Sequence, residues 1–250
     1  MGKGIQAHST HHIEAEPDTK PTARRLSTLT PQESLAAAAG DYRLLLDRGY
    51  PVTASLKLVG DRHRLDKKER NILFRGVLDQ ATSAAIAARL VTKPAAGLSL
   101  AIDGYNVLFT LINYRRGHPL FVSTDGLVRD AGGAYGHISH STDFGEALQL
   151  LVPTLVKLQP SSTTIYLDAP VSGSGGHAAA IRQALTGAGL VGQVQVVPSA
   201  DPALIAFDGQ LVVTSDSVIA ARAKAGVYDL ARAVLEWRYA VVLPDLHRWI

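Results

Sequence analysis

Apolar and polar residues fall along this chain in two textures. Between Pro31 and Lys93 the apolar stretches read as helices with recognisable starts and stops. Pro31 suits the first turn of a helix running through LAAAAGDYRLLLDRG, and Gly49 suits its C-terminal cap. Pro51 opens a second helix, TASLKLVG, stopped near Gly60. Asp66 reads as the N-cap of KKERNILFRGVL, with Glu69 at the capping-box position. An Ala-rich helix near 79–91 ends before Lys93-Pro94-Ala-Ala-Gly97, a linker by composition.

From Leu98 the texture changes. Short apolar runs predict strands near 98–103, 119–124, 163–168, 193–198 and 210–215. Helices are expected near 104–112, 143–158, 176–188, 199–206, 216–223 and 228–238. This alternation predicts βαβ units and a mostly parallel sheet. The stretch FVSTDGLVRDAGGAY breaks the rhythm, and Asp125-Gly126 predicts a β-hairpin insertion. YAVVLPDLHRWI reads as a final strand plus a packed tail. The expected organisation is a disordered tail over 1–30, a basic helical module over 31–93 and an α/β domain over 98–250. His8, His11 and His12 in the tail have metal-binding chemistry, but an unstructured tail is the simpler reading.

Composition narrows the class. A 250-residue chain with 46% hydrophobic and 19% charged residues can bury an ordinary core. The lack of cysteine excludes disulfides and thiolate metal sites. Apolar stretches are interrupted before they reach a membrane span, and the N-terminus has no apolar signal region, so a cytoplasmic protein is expected. The net charge of +3 divides into +5 over residues 1–93 and −2 over 94–250. Such a division suits a binding module joined to a metal-binding one, but imbalances this small arise by chance and carry no weight alone.

Three aspartates close apolar runs: Asp103 in LSLAIDGYN, Asp168 in TTIYLDAP and Asp216 in QLVVTSDS. In an open α/β sheet, ligands sit beyond the carboxyl ends of the strands. Carboxylates meeting there need a counter-ion, and Mg²⁺ or Mn²⁺ suits oxygen donors. Each aspartate alone also reads as a helix cap; together they favour a shared site. Asn106 and Ser215 are candidates to position water or phosphate, and Gly104 to let a substrate backbone approach. The hydroxyls of Thr214 and Ser215 or Ser217 are candidates to orient the carboxylate. Asp201 or Glu146 would complete the ligand set, whereas Asp143 reads as a cap and Asp125 and Asp130 as turn residues.

Basic residues cluster between Pro51 and Arg75. Arg62, Arg64, Lys67, Lys68 and Arg70 are the candidates for nucleic-acid binding, in a loose helix-turn-helix spacing. A solvated face with local ion pairs is the alternative. Asn71 suits a base contact or a cap. Ser172-Gly-Ser-Gly-Gly176 is either a phosphate cradle or a flexible loop. His177 reads as a general acid or a structural residue, and Arg115, Arg116 and Arg129 as phosphate grips or ordinary surface residues.

Ala101-Ile102-Asp103-Gly104-Tyr105-Asn106, Leu167-Asp168, Ala200-Asp201 and Thr214-Ser215-Asp216, in this order, resemble the motifs of PIN-like nuclease domains of the NYN type. The likeness covers about residues 98–225. It implies a PIN-like three-layer α/β fold with a mostly parallel central sheet, and Mg²⁺- or Mn²⁺-dependent hydrolysis of RNA. The early-helix acidic residue of that family has no clear match here; Glu146 is the nearest candidate. The whole chain also resembles a prokaryotic family of domains of unknown function, in which a small all-α module of DUF-four-three-four type precedes a PIN-like partner. LLLDRGYPVTASLKLVGDRHRLDKKERNILFRG, DGLVRDAGG, LDAPVSGSGG and TSDS carry that likeness.

The expectation is therefore a metal-dependent phosphodiesterase, an endoribonuclease in the first instance. The alternative is a nucleic-acid-binding protein on a decayed nuclease fold. A phosphatase with paired aspartates is disfavoured because Tyr105 stands two residues after Asp103.

Overall fold

The structure, a computed structural model, describes residues 33–131 and 141–250. The histidine-bearing tail, Pro31 and the far end of the expected hairpin insertion lie outside those residues.

The first helices are α1 (Glu33–Asp47), α2 (Val52–Arg62), α3 (Lys67–Gly76) and α4 (Gln80–Ala87). Asp66 and Glu69 form the expected capping box on α3: each side chain accepts the other's backbone N–H at 2.8 Å. Asp79 caps α4 through Thr82 N–H at 2.8 Å. Gly49, beyond α1, has φ +76°, the left-handed conformation that ends a helix. Gly60 does not stop α2. It lies inside the helix because the Arg70 guanidinium crosses there, where any side chain would collide.

The α/β region runs β1 (Ser99–Asp103), α5 (Gly104–Arg115), β2 (Leu120–Val122), β3 (Val128–Asp130), α6 (Ser141–Leu158), β4 (Ser162–Asp168), α7 (Ser174–Gly187), β5 (Gly192–Val197), α8 (Asp201–Ala206), β6 (Leu211–Val213), α9 (Ser217–Arg222), β7 (Gly226–Tyr228) and α10 (Leu230–Tyr239). Five strands form one parallel sheet in the order β5-β4-β1-β6-β7. Alternate residues of a strand face opposite sides. Leu100 and Ile102 accordingly join the core made with α5, α6, α7 and α10, while Ala101 joins the core made with α8 and α9. A mixed α/β fold with helices on both faces of a mostly parallel sheet results.

The hairpin insertion forms as β2 and β3, paired antiparallel with Phe121 opposite Arg129, and Gly126 turns it at φ +87°. Its aspartates are more than turn residues. Asp125 is fully buried and ion-paired to buried Arg129 at 2.7 Å, and Asp130 meets Arg75 at 3.1 Å.

Two expectations fail at the C-terminal end. YAVVLPDLHRWI forms no strand: it makes one bridge, Val122 to Asp245, and a 3₁₀ turn at Leu246–Arg248. The fifth sheet strand is instead β7, three residues long, where Ala225, Val227 and Tyr228 are buried.

The helical region is stitched to the α/β region. Phe121, Ala131 and Leu246 lie in one core with Tyr42, Ile72 and Leu73. Thr124 N–H donates to Gly76 C=O at 2.8 Å, and Leu78 N–H donates to the Thr124 hydroxyl at 3.1 Å. Residues 89–91 extend the sheet beyond β7: Val91 N–H donates to Val227 C=O at 2.8 Å, and Val227 N–H donates to Arg89 C=O at 2.9 Å. No helix among the described residues is long and apolar enough to cross a membrane.

Candidate acidic site at the strand ends

The chain places β1, β4 and β5 to one side and then turns back to lay β6 and β7 on the other. The strand order thus reverses between β1 and β6. At such a switch point the connections leave in opposite directions and open a crevice at the carboxyl ends. Asp103 ends β1, Asp168 ends the neighbouring β4, and Thr214-Ser215-Asp216 follows β6 directly. The sequence thus delivers all three aspartates to one end of three adjacent strands.

Asp103 is 6% exposed. Its Oδ1 accepts Asn106 N–H at 3.3 Å, capping α5, and its Oδ2 accepts the Thr214 hydroxyl at 3.0 Å. Burial pushes this carboxyl up to about 7 against those two donors, and the charges of Asp168 and Asp216 push the same way. Asp168 accepts Ala200 N–H at 2.9 Å, which draws the start of α8 toward β4. Asp216 caps α9 by accepting Val218 and Ile219 N–H at 2.7 and 3.1 Å. Asp201, exposed at the start of α8, is raised by desolvation and then by Asp216 and Asp168. Asp103, Asp168 and Asp216 are thus each a cap or a backbone acceptor, and the charges of Asp168 and Asp216 act on both Asp103 and Asp201.

Asn106 and Ser215 fix each other. Asn106 Oδ1 accepts both the Ser215 N–H at 2.8 Å and the Ser215 hydroxyl at 2.9 Å. Two donors on one oxygen set the amide orientation and leave Asn106 Nδ2 to donate elsewhere. The Thr214 oxygen also accepts Asp216 N–H at 3.0 Å, so one hydroxyl ties Asp103 to the turn carrying Asp216.

Several sequence-level roles are corrected. Gly104 serves packing rather than substrate approach: a Cβ there would lie 2.9 Å from Tyr166 C=O and overlap Leu167 and Ile165. Glu146 is held by Arg115 at 2.7 Å, and Asp143 by Arg116. Those arginines stand at the C-terminal end of α5, roughly 18–20 Å of helix from Asp103 at the usual rise per residue. Glu146 therefore lies away from the set, and of the two candidates Asp201 is the one on which the charges of Asp216 and Asp168 act. Arg129 lies in the buried hairpin ion pair rather than at the cleft.

Sequence reasoning missed Tyr105. It is 3% exposed, and its hydroxyl lies 3.0 Å from His177 Nδ1. The imidazole stacks on Phe144 with centroids 4.3 Å apart, and burial lowers its pKa. His177 therefore anchors the first turn of α7, below the Ser172–Gly176 loop, as a neutral aromatic plug. The Tyr-Asn spacing after Asp103 was the available signal, because it puts Tyr105 and Asn106 on different sides of α5.

The donor set can be tested against a hard cation. Among the described residues, no group of three or more His, Cys, Asp or Glu is gathered to hold a metal ion as it stands. The chemistry nonetheless fits: these are carboxylate oxygens, mutual charge raises two of the four groups, and Arg222, acting on Asp201, is the basic residue found to oppose it.

Residues 92–233 match the family described as Domain of unknown function (DUF5616), and residues 34–89 match that described as Protein of unknown function (DUF434). The two matches meet where residues 89–91 join the sheet edge. The Uncharacterized protein MJ0935 of Methanocaldococcus jannaschii is 31% identical over 187 residues, covering 74% of this chain and 88% of that protein. No solved structure matches the chain.

Proposed function

The chain belongs to the DUF5616 family, a kinship that names no chemistry; from the site, together with the resemblance of its motifs to NYN-type PIN-like domains, we propose that it is a metal-dependent phosphodiesterase on a PIN-like fold, acting on RNA. One observation carries this reading. Asp103, Asp168 and Asp216 end or follow three adjacent parallel strands at the switch point, close enough that the latter two raise the first. A fold that gathers like charges without a matching cluster of bases is suited to a divalent cation and an anionic substrate.

Asp103, Asp168 and Asp216 would hold Mg²⁺ or Mn²⁺, with Asp201 at the rim. When bound, the ion supplies Lewis-acid stabilisation of a phosphoryl oxygen and a water of lowered pKa. The chain's own residues do the positioning. Thr214 holds the Asp103 carboxylate in one orientation while fixing the Asp216 backbone. Asn106, its Oδ1 committed to Ser215, donates from Nδ2 to a phosphate oxygen or attacking water. The Tyr105–His177–Phe144 cluster keeps the α7 side of the cleft rigid.

The test is cleavage of mixed single-stranded and structured RNA with Mn²⁺, with EDTA, and by Asp103→Asn. Activity that disappears in both controls supports the reading, and activity that survives either one overturns it. A second reading, a nucleic-acid-binding protein without catalysis, is favoured by one observation: among the described residues, no three acidic or histidine side chains stand together as a ready metal-holding group. RNA retained equally with and without EDTA, and never cut, would select it.

A further inference from the structure

Helix α3 carries a feature that the acidic cleft does not use. Lys67, Asn71 and Phe74 stand four and three residues apart and so share one stripe of the helix. With Leu56 of α2, Lys68, Arg70 and Ala131 they line a cleft of about 620 Å³. That size is ordinary for a small-molecule or nucleotide site.

The lining divides by role. Arg70 is committed to the fold: its Nε donates to Leu65 C=O at 2.9 Å, and its guanidinium pairs with Asp61 at 2.9 Å. Arg62 lies 3.9 Å from Asp41. Of the five basic residues read from sequence as nucleic-acid contacts, Arg70 therefore serves the α2–α3 joint. Lys67 and Lys68 differ. Both are exposed, and neither makes an ion pair or hydrogen bond among the described residues. They occupy the first turn of α3, where the helix dipole already points its positive end outward. Lysine is a poor choice there for stability. The nearby carboxylates, Asp66 and Glu69, are engaged by each other's backbone N–H groups.

Phe74 is 54% exposed at the other end of the stripe. Between the two, Asn71, which lines the cleft, donates from Nδ2 to Ala131 C=O at 2.7 Å, which fixes the amide and leaves its Oδ1 as an acceptor. A positive end, an amide acceptor and an open aromatic face, spread over roughly 10 Å of helix, match a phosphate, a base edge and a base plane.

We propose that the α2–α3 cleft binds single-stranded RNA, with a base stacked on Phe74 and the backbone phosphates on Lys67 and Lys68. The choice of nucleic acid rests on the proposed function; the site itself does not depend on the acidic cleft. The charge of the pair complements a polyanion, and the half-exposed ring complements unpaired bases rather than a duplex.

The experiment uses the full chain and a short fluorescein-labelled oligouridylate, with binding read by anisotropy in EDTA over a range of NaCl concentrations. Phe74→Ala is expected to weaken binding roughly 5- to 150-fold, as loss of one base stack does, while Phe74→Tyr retains it. Lys67→Ser with Lys68→Ser is expected to lower the slope of log Kd against log salt by about 1.4. Phe74, Lys67 and Lys68 are all exposed, and circular dichroism checks each variant's fold. Absent binding by the parent, or wild-type affinity and salt slope in both the Phe74→Ala and the lysine variants, overturns the proposal. Uridine monophosphate competing as tightly as the oligomer overturns the assignment to a strand. If the acidic cleft proves inert to Mn²⁺ while the Phe74 and lysine effects remain, the function reading fails and this site stands.

Discussion

The hydroxyl of Thr214 donates to Asp103 Oδ2 at 3.0 Å while accepting the backbone N–H of Asp216, also at 3.0 Å. One atom thus couples the carboxylate at the end of β1 to the turn after β6. Thr214→Val removes both contacts at nearly constant volume. It is expected to cost about 1–3 kcal/mol, because a buried acceptor is left unpaired, and to reduce Mn²⁺-dependent cleavage 10- to 100-fold, the usual effect of losing a group that orients a ligand. Thr214→Ser should restore most of both. Urea denaturation and initial cleavage rates check the two effects separately.

Gly104 admits no side chain because α5 starts directly against β4, with Tyr166 C=O 2.9 Å from where a Cβ would stand. Gly104→Ala should destabilise the chain by about 1–3 kcal/mol through overpacking. A thermal melt at unchanged or higher midpoint would refute this account of the glycine.

Asp229 gives a pH dependence. It caps α10 through Arg232 N–H at 2.9 Å and accepts Val128 N–H at 2.6 Å, yet burial pushes it up to about 6. Its folded-state value lies above that of the unfolded chain, so the fold holds this proton more tightly. The resulting stability is complete below about pH 4 and is lost as pH rises through about 6, by at most roughly 3 kcal/mol. Between pH values of about 4 and 7, the parent should therefore lose stability relative to Asp229→Asn. Parallel stability curves for the two proteins would exclude the shift.

Arg182 guards an edge. Thr163 N–H donates to Val191 C=O and Ala169 N–H to Val197 C=O, so odd-numbered carbonyls of β5 face β4 and Val194 C=O faces outward. Arg182 donates to that carbonyl at 2.8 Å. β5 itself, GQVQVV, has no charge to discourage pairing with another chain. Arg182→Ala should promote concentration-dependent self-association in sedimentation velocity while changing monomer stability by less than about 1 kcal/mol. A variant that stays monomeric at every concentration would show that the edge is protected otherwise.

The legible parts of this fold were those with local signatures. The capping box at Asp66 and Glu69, the Asp125-Gly126 turn and the apolar runs ending in aspartate each place their signal within a few residues. The candidate site was legible for the same reason, since strand-end position follows from the run alone. What escaped depends on partners distant in the chain. β7 is three residues long and is a strand because β6 and residues 89–91 flank it. Glu146 looked available until Arg115 was found beside it. Arg70, one lysine-like charge among several in the sequence, is singled out by the glycine it crosses in another helix.

The pairing of residues 89–91 with Val227 sets an order on the ribosome. The helices are made before any strand of the sheet, but the strand that their last residues must join is made after all the others. The edge stays open while the intervening strands emerge, and closing so distant a contact is slow. Helices synthesised before the sheet are thus completed after it. A nascent chain stalled before β7 would hold folded helices with a bare strand of backbone behind them, a form suited to capture by chaperones.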